Sequence, residues 1–392
     1  MVAYSFYDTD NRVRRYAECL VRHGHQVDVI SLRPRGEEKI VERNGVTVYR
    51  IQERAIDEKR KSQYLSRLLK FLFLSAFYLW RNHNREPYQL IHVHSIPDFE
   101  VFSALVPKLA GARVILDIHD IVPEYYASKF RVRHNSTIFR LLVFMEKLSA
   151  GFADHVIIAN DIWRKTLLER SVKKSKCTTI LNYPDPGIFS GHSRDRQDDA
   201  IVILYPGSIS WHQGLDIAVK AFSRIKDEIP NARFDIYGDG SATNEIRDLI
   251  RERGLQGRVF LKDPVGMESV AELMTRADIG IVPKRNDPFG GNAFSTKTLE
   301  FMLSKTPLIL SKTRIDEFYF DDSVVMFFEP ENETDLAQCI LRLAKDAQKR
   351  QQLAEAGYRF AKIMSWDNKE KIYLELVDDL MRREKGLSRK HP

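Results

Sequence analysis

Short runs rich in Val, Ile and Leu recur at residues 2–6, 26–31, 90–94, 113–118 and 155–159, and again at 201–205, 233–237, 258–261, 278–282 and 307–310. Between them lie segments with apolar residues at helical spacing, at 11–23, 216–228, 268–276 and 333–357. A strand followed by a helix returns the chain to the same end of a sheet, because parallel neighbours need a crossover of about a dozen residues. The alternation therefore predicts an α/β chain of doubly wound parallel sheets.

The chain has 392 residues, too many for one ordinary core. Residues 190–199 contain no apolar side chain and read as a linker. Two domains are thus expected, 1–189 and 200–365, facing each other across a cleft. Ligands of open α/β sheets sit beyond the carboxyl ends of the strands, which is where the chemistry is sought.

Charge and cysteine usage narrow the function classes. Cys19, Cys177 and Cys339 are far apart and form no C-x-x-C pair, so neither a disulfide framework nor a zinc site is expected and a reducing cytoplasm fits. Of 61 basic and 54 acidic residues, 30 and 21 fall in residues 1–190, a balance of +9; the remainder carries 31 and 33, a balance of −2. A basic half beside a near-neutral one suggests an anionic partner: a membrane surface or a phosphorylated substrate. No nucleic-acid-binding motif accompanies the charge, so nucleic acid is not expected. Met1-Val2-Ala3-Tyr4 lacks the basic start of a signal peptide. The longest nearly unbroken apolar stretch, 71–80, has ten residues, against the roughly 20 that a spanning helix needs.

Three strand ends carry candidate chemistry. Strand 113–118 runs into His119-Asp120, with Glu124 following; an imidazole there can contact substrate, and it also fits a polar loop bonded to backbone. Strand 201–205 ends in Pro206-Gly207-Ser208, and Gly214 opens a helix after Gln213; glycines here let phosphates approach backbone N–H groups or simply serve tight turns. Gly238 and Gly240 follow the next strand but lack the third glycine of the dinucleotide fingerprint, so nicotinamide binding is not indicated. The richest segment is 283–300, where Lys284, Arg285 and Lys297 converge on a helix start. Ser295 is placed to cap that helix; the cations, the helix start and the hydroxyl residues together suit a diphosphate, and they also fit a cationic surface loop with a solvated Glu300. Glu300, one turn in, can accept from paired sugar hydroxyls. Asp8-Thr9-Asp10 has D-x-D form but reads as helix capping, and no metal cluster is expected.

Taken in order, these pieces resemble the retaining glycosyltransferases of family 4, in the branch that builds bacterial O-antigen, capsule and exopolysaccharide. The resemblance runs over nearly the whole chain. It rests on Asp10 to Arg15, Arg22-His23-Gly24-His25, Ile91-His92-Val93-His94, Leu116-Asp117-Ile118-His119-Asp120, Leu181-Asn182-Tyr183-Pro184-Asp185, Tyr205-Pro206-Gly207, Gln213-Gly214-Leu215-Asp216, Tyr237-Gly238-Asp239-Gly240, Ala277-Asp278-Ile279-Gly280 and Glu300-Phe301-Met302. It implies the GT-B architecture of two facing Rossmann-like domains, with a terminal helix at 366–386 crossing back onto the first. It implies transfer from a nucleotide diphosphate sugar, UDP-linked, to a saccharide or polyprenyl-diphosphate-linked acceptor, with no cofactor and no metal.

By residue, the resemblance implies that His119 lies beside the reacting sugar and that Glu300 is the ribose-binding glutamate of an E-x7-E motif. Asn292 replaces the first glutamate of that motif. Ser208 and Gln213 fall where the family carries Arg and Lys, so Lys297 is expected to supply the missing charge ahead of Lys284 and Arg285. The catalytic set is then His119, Lys297 and Glu300. Donor contacts are expected from Gly207, Ser208, Gln213, Gly238, Gly240, Lys284, Arg285, Asn292, Ser295 and Thr296, and acceptor-side contacts from Arg12, Asp120 and Glu124. A sugar-nucleotide epimerase of the same architecture and a non-catalytic binding subunit are the competing readings.

Lys59-Arg60-Lys61 opens an aromatic-rich helical stretch, through Phe71, Phe73 and Phe77 to Arg85. Basic ends around an apolar middle suit either an interfacial helix at anionic lipid or a core helix. A cytoplasmic chain, peripheral on the inner face of the plasma membrane, is the corresponding expectation.

Overall fold

The computed structural model describes residues 1–54, 61–130 and 132–387, in two compact units: Met1–Asn182 with Glu370–Pro392, and Tyr183–Lys369. Lys59 and Arg60 of the expected basic tether lie outside the described residues. Both units are α/β with mainly parallel sheets, as the alternation predicts.

The first unit holds eight strands: β1 (Val2–Ala3), β2 (Val27–Arg33), β3 (Ile40–Arg43), β4 (Val46–Glu53), β5 (Leu90–Ser95), β6 (Arg113–Ile118), β7 (His155–Ile158) and β8 (Cys177–Thr179), in the order β3-β4-β2-β1-β5-β6-β7-β8. All pairs are parallel except the hairpin β3–β4. Central β6 is buried on both faces, as its Val-Ile-Leu run requires of a strand covered by helices. The opening helix, Asn11–Arg22, begins where Asp10 accepts from Val13 N at 3.2 Å. It buries Val13, Tyr16, Ala17 and Leu20 at helical spacing.

The second unit holds β9 (Ile201–Pro206), β10 (Ala232–Tyr237), β11 (Val259–Lys262), β12 (Ile279–Val282), β13 (Leu308–Ser311) and β14 (Met326–Phe328), ordered β11-β10-β9-β12-β13-β14 and parallel throughout. This is the doubly wound order, with its switch point between β9 and β12. Helix Thr296–Leu303 lies against β12 because Gly280 has no side chain: a Cβ there would stand 2.7 Å from the Phe301 ring.

Two boundaries differ from expectation. The break between units falls at Asn182/Tyr183 rather than within 190–199. Arg194 and Arg196 both pair with Asp278, the latter at 2.7 Å, so the polar stretch is bound to the second unit. The segment 333–357 is two helices, Glu333–Lys345 and Ala347–Ile363, because the Asp346 side chain accepts from Lys349 N at 2.8 Å and caps a new start. The terminal helix, Trp366–Leu387, joins the first unit from Glu370 onward. There Glu370 meets Cys19 and Arg22, and the Tyr373 hydroxyl lies 2.9 Å from His92 Nδ1.

Candidate active site

At the switch point of the second unit, the loops after β9 and β10 continue the strand ladder. Gly207 N donates to Tyr237 O at 2.8 Å, and Ile209 N donates to Asp239 O at 2.9 Å. That closeness leaves no room for side chains. Gly238 has φ +152°, and a Cβ on it would lie 1.9 Å from Gly207 O; one on Gly240 would lie 2.2 Å from Ile209 O. The Gly240 N–H is taken by Asp239 Oδ1 and Thr243 Oγ1. Gly238 and Gly240 are thus required by backbone packing in their own right.

Lys297, in the first turn of helix Thr296–Leu303, reaches toward Gly207. A Cβ on Gly207 would stand 3.1 Å from its Nζ. The ammonium lies 5.2 Å from the centre of the Tyr205 ring and 3.5 Å from Gln213 Oε1. Among the described residues it has no ion-pair partner. Burial lowers its pKa to about 8 against the pull of Glu300, so the charge is held in a place that disfavours it. Gln213 Oε1 is 3.1 Å from the Tyr205 hydroxyl, which donates to Ser208 O at 2.8 Å; the Ser208 side chain is exposed. Thr296 and Glu300 are half-buried on the same helix as Lys297.

The other two cations are committed elsewhere. Lys284 is buried, 2.8 Å from Asp316 Oδ2 and donating to Ala293 O at 2.8 Å. Arg285 bonds Asp216 at 2.7 Å and Glu331 at 2.9 Å, and its guanidinium lies over the Trp211 ring. Both hold the loop after β12 in place through these pairs. Ser295 occupies the N-cap position by backbone only, its buried hydroxyl making no cap bond. Asn292 Nδ2 donates to Pro288 O at 2.9 Å, within its own turn.

In the first unit the carboxyl ends of β5 and β6 bring three imidazoles around Asp117. Arg12 grips Asp117 with Nε to Oδ2 and Nη2 to Oδ1, each at 2.7 Å. The same Oδ2 lies 3.2 Å from His94 Nδ1, 3.2 Å from His119 Nε2 and 3.9 Å from His92 Nε2. Burial pushes the Asp117 carboxyl up, but Arg12 and His119 outweigh it and hold it well below the usual range. Burial lowers His92 well below the ordinary imidazole value and lowers His94 as well. His119 turns Nε2 toward the carboxylate and so presents Nδ1 on its other side, while His94 Nδ1 and His119 Nε2 also lie 3.2 Å from each other. His92, His94 and Asp117 have donor atoms within 4.8 Å of one another, a grouping that could hold a cation, but Arg12 already neutralises the carboxylate.

Arg12 is therefore buried as the counter-ion of Asp117. Glu124 is likewise committed: Arg170 holds both its oxygens, at 2.5 and 2.9 Å, together with Glu146. Asp120, half-buried beside His119, has its pKa pushed up to about 6 by burial, opposed by His119. Asp117, His92 and His94 had no role assigned from sequence. The available signal was one acid inside an otherwise apolar strand, which a fold tolerates only when it is paired.

With this geometry in place, comparison with known families decides the class. Residues 9–182 match the glycosyl transferase 4-like domain, and residues 192–360 match glycosyl transferases group 1. The chain belongs to glycosyltransferase family 4. Among family relatives it is 22% identical over 267 residues to the alpha-D-kanosaminyltransferase of Streptomyces kanamyceticus, an alignment covering 64% of this chain and 66% of that protein, just under two thirds. In fold it is similar to sucrose-phosphate synthase from Thermosynechococcus elongatus (TM-score 0.78, 19% identity, 96% of this chain and 99% of that one). It is also similar to HepE of Anabaena, solved with UDP and glucose (TM-score 0.72, 16% identity, 96% and 98%). Both solved structures share the GT-B fold with this chain.

Proposed function

We propose that this family-4 chain transfers a sugar from a nucleotide diphosphate sugar, UDP-linked, to a saccharide or lipid-linked saccharide acceptor with retention of anomeric configuration, in cell-surface polysaccharide synthesis. The observation that carries the reading is Lys297: a half-buried ammonium without an ion-pair partner among the described residues, beside the Gly207 turn at the switch point. HepE, of the same fold, was solved with UDP, which supports the donor class.

A nucleoside diphosphate leaves without the general acid that an alkoxide needs, so the site has to stabilise departing charge and orient the acceptor hydroxyl. Lys297 takes the diphosphate charge, aided by the helix N-terminus. Glu300 accepts from the ribose hydroxyls. His119 Nδ1 accepts from a hydroxyl at the reacting sugar as the bond breaks. In this reading no metal ion is called on, and the acceptor attacks from the face the diphosphate leaves. Peripheral attachment at the cytoplasmic face of the membrane would bring the chain to a lipid-linked acceptor.

Titration of UDP into Glu300→Ala tests the donor end, with a loss of about 1.5–3 kcal/mol expected for a charged acceptor removed from ribose. Unchanged UDP affinity rejects that role. Incubation with donor and extracted polyprenyl-diphosphate sugars tests transfer. Binding without UDP release identifies a non-catalytic subunit, and an altered free donor identifies an epimerase.

A further inference from the structure

The exposed large apolar side chains are concentrated on three elements of the first unit. Helix Lys61–His83 turns Leu68, Phe71, Ser75 and Leu79 inward, yet it leaves Leu65, Leu69, Phe73, Phe77 and Trp80 to solvent, with Phe73 70% exposed. One face of the helix is thus core, and the other is left exposed and apolar. The turn Asp98–Ala104 lies against this helix and against helix Thr137–Phe152. The Ser75 hydroxyl bonds Glu100, and the Phe102 ring meets Phe152 at 5.3 Å. The following turn, Leu105–Leu109, holds Leu109 80% exposed, and helix Thr137–Phe152 adds Leu141, Phe144 and Leu148 outward. The three elements form one continuous layer.

Its charge is one-sided. The acids on these elements, Asp98, Glu100 and Glu146, are all buried, so no acidic side chain on them is exposed. Lys70, Arg140 and Lys147 point to solvent, and Arg81 is half-buried over the Tyr78 ring.

The geometry points to this three-element layer as a docking face for an anionic lipid bilayer, its apolar side chains inserting at the headgroup boundary and its cations meeting lipid phosphate. A soluble monomer rarely keeps so large a contiguous apolar patch in water. A second copy on the same face would set like cations against each other, whereas an anionic bilayer satisfies charge and apolar surface together. Trp80 and Tyr64, amphipathic rings on the outer face of the first helix, suit the interface. The proposal supplies a surface for peripheral attachment, but it stands on exposure and charge alone, without the sugar-transfer reading.

The test is vesicle flotation of the full chain without nucleotide, on phosphatidylcholine with and without phosphatidylglycerol. Binding to the mixed vesicles is expected, weakening in high salt and on neutral vesicles. Leu141→Glu with Phe144→Glu, and separately Phe73→Glu, should each lower vesicle affinity about tenfold or more. Lys70→Ser, Arg140→Ser and Lys147→Ser should each cost roughly fivefold on anionic vesicles only. These positions are exposed, and an unchanged circular dichroism melt confirms the fold. Wild-type protein that stays unbound, or glutamate variants that float as well as wild type, overturns the proposal. So does a concentration-dependent dimer, seen by sedimentation velocity, that the same variants abolish, because it assigns the layer to a second copy. UDP affinity measured in parallel keeps this outcome separate from that of the proposed function.

Discussion

Oδ2 of Asp117 lies 3.2 Å from Nε2 of His119, and the same carboxylate is held bidentate by Arg12. The relationship fixes which ring nitrogen of His119 faces outward. Asp117→Asn should lower turnover by about two orders of magnitude or more, as expected when a positioning carboxylate no longer selects the tautomer. His119→Ala should likewise reduce kcat more than donor affinity. Ring nitrogen chemical shifts of His119 give the structural check, with Nε2–H in the wild type and loss of that tautomer in Asp117→Asn. An unchanged tautomer would show that the pair does not position the ring.

Lys297→Ala should cost about 2–4 kcal/mol of transition-state stabilisation, comparable to losing one preorganised donor. Lys284→Ala should instead act on stability, because it strands buried Asp316, at about 3–5 kcal/mol for a broken buried pair. Denaturant midpoints and kcat/KM measured on both variants separate the roles. Full turnover in Lys297→Ala beside a folded but inactive Lys284→Ala would reverse the assignment.

Lys297 also sets a pH dependence. Its folded pKa of about 8 lies below the ordinary 10.5, so the ammonium discharges as pH rises through 8. The kcat/KM profile should fall above about pH 8, since that ratio reports the free enzyme's groups. Lys297→Arg, charged throughout, should move the falling limb out of range. For stability the sign is opposite: this group's contribution is present above 10.5 and is lost as pH falls through 8.

Glu100, buried with its carboxyl bonded by Ser75, has a pKa pushed up to about 8 by burial. A folded pKa above the ordinary 4.5 gives stability that is present below 4.5 and lost as pH rises through 8. Urea midpoints of the full chain should therefore decline toward alkaline pH, and Glu100→Gln should flatten that decline. Parallel declines in both proteins would rule out Glu100 as the source.

Much of the fold was legible because central parallel strands are apolar, β9 throughout and β6 over Val114–Leu116. β8 and β14, three residues each, are too short to show a period. The hairpin β3–β4 was overlooked despite Asn44-Gly45 between two β-branched runs, where both residues take positive φ. At the site, the local chemistry of 283–300 pointed to Lys297. Partners far along the chain stayed hidden: Arg12 and Asp117 are 105 residues apart, and what Lys284 or Arg285 touches depends on Asp316, Asp216 and Glu331. A cation's availability is decided by such neighbours rather than by its own position.

Because the first unit is completed by residues from Glu370 onward, its final piece leaves the ribosome after the whole of the second unit. Until then Tyr16 and His92 lack Tyr373, which packs on both rings at 4.3 and 5.5 Å, and Cys19 lacks Glu370. The contiguous second unit can close while translation continues, whereas the earlier-made unit waits with an uncovered face. A stop codon shortly before Glu370 would release a chain whose later-synthesised half is folded and whose first half is unfinished, a natural substrate for chaperones and proteases.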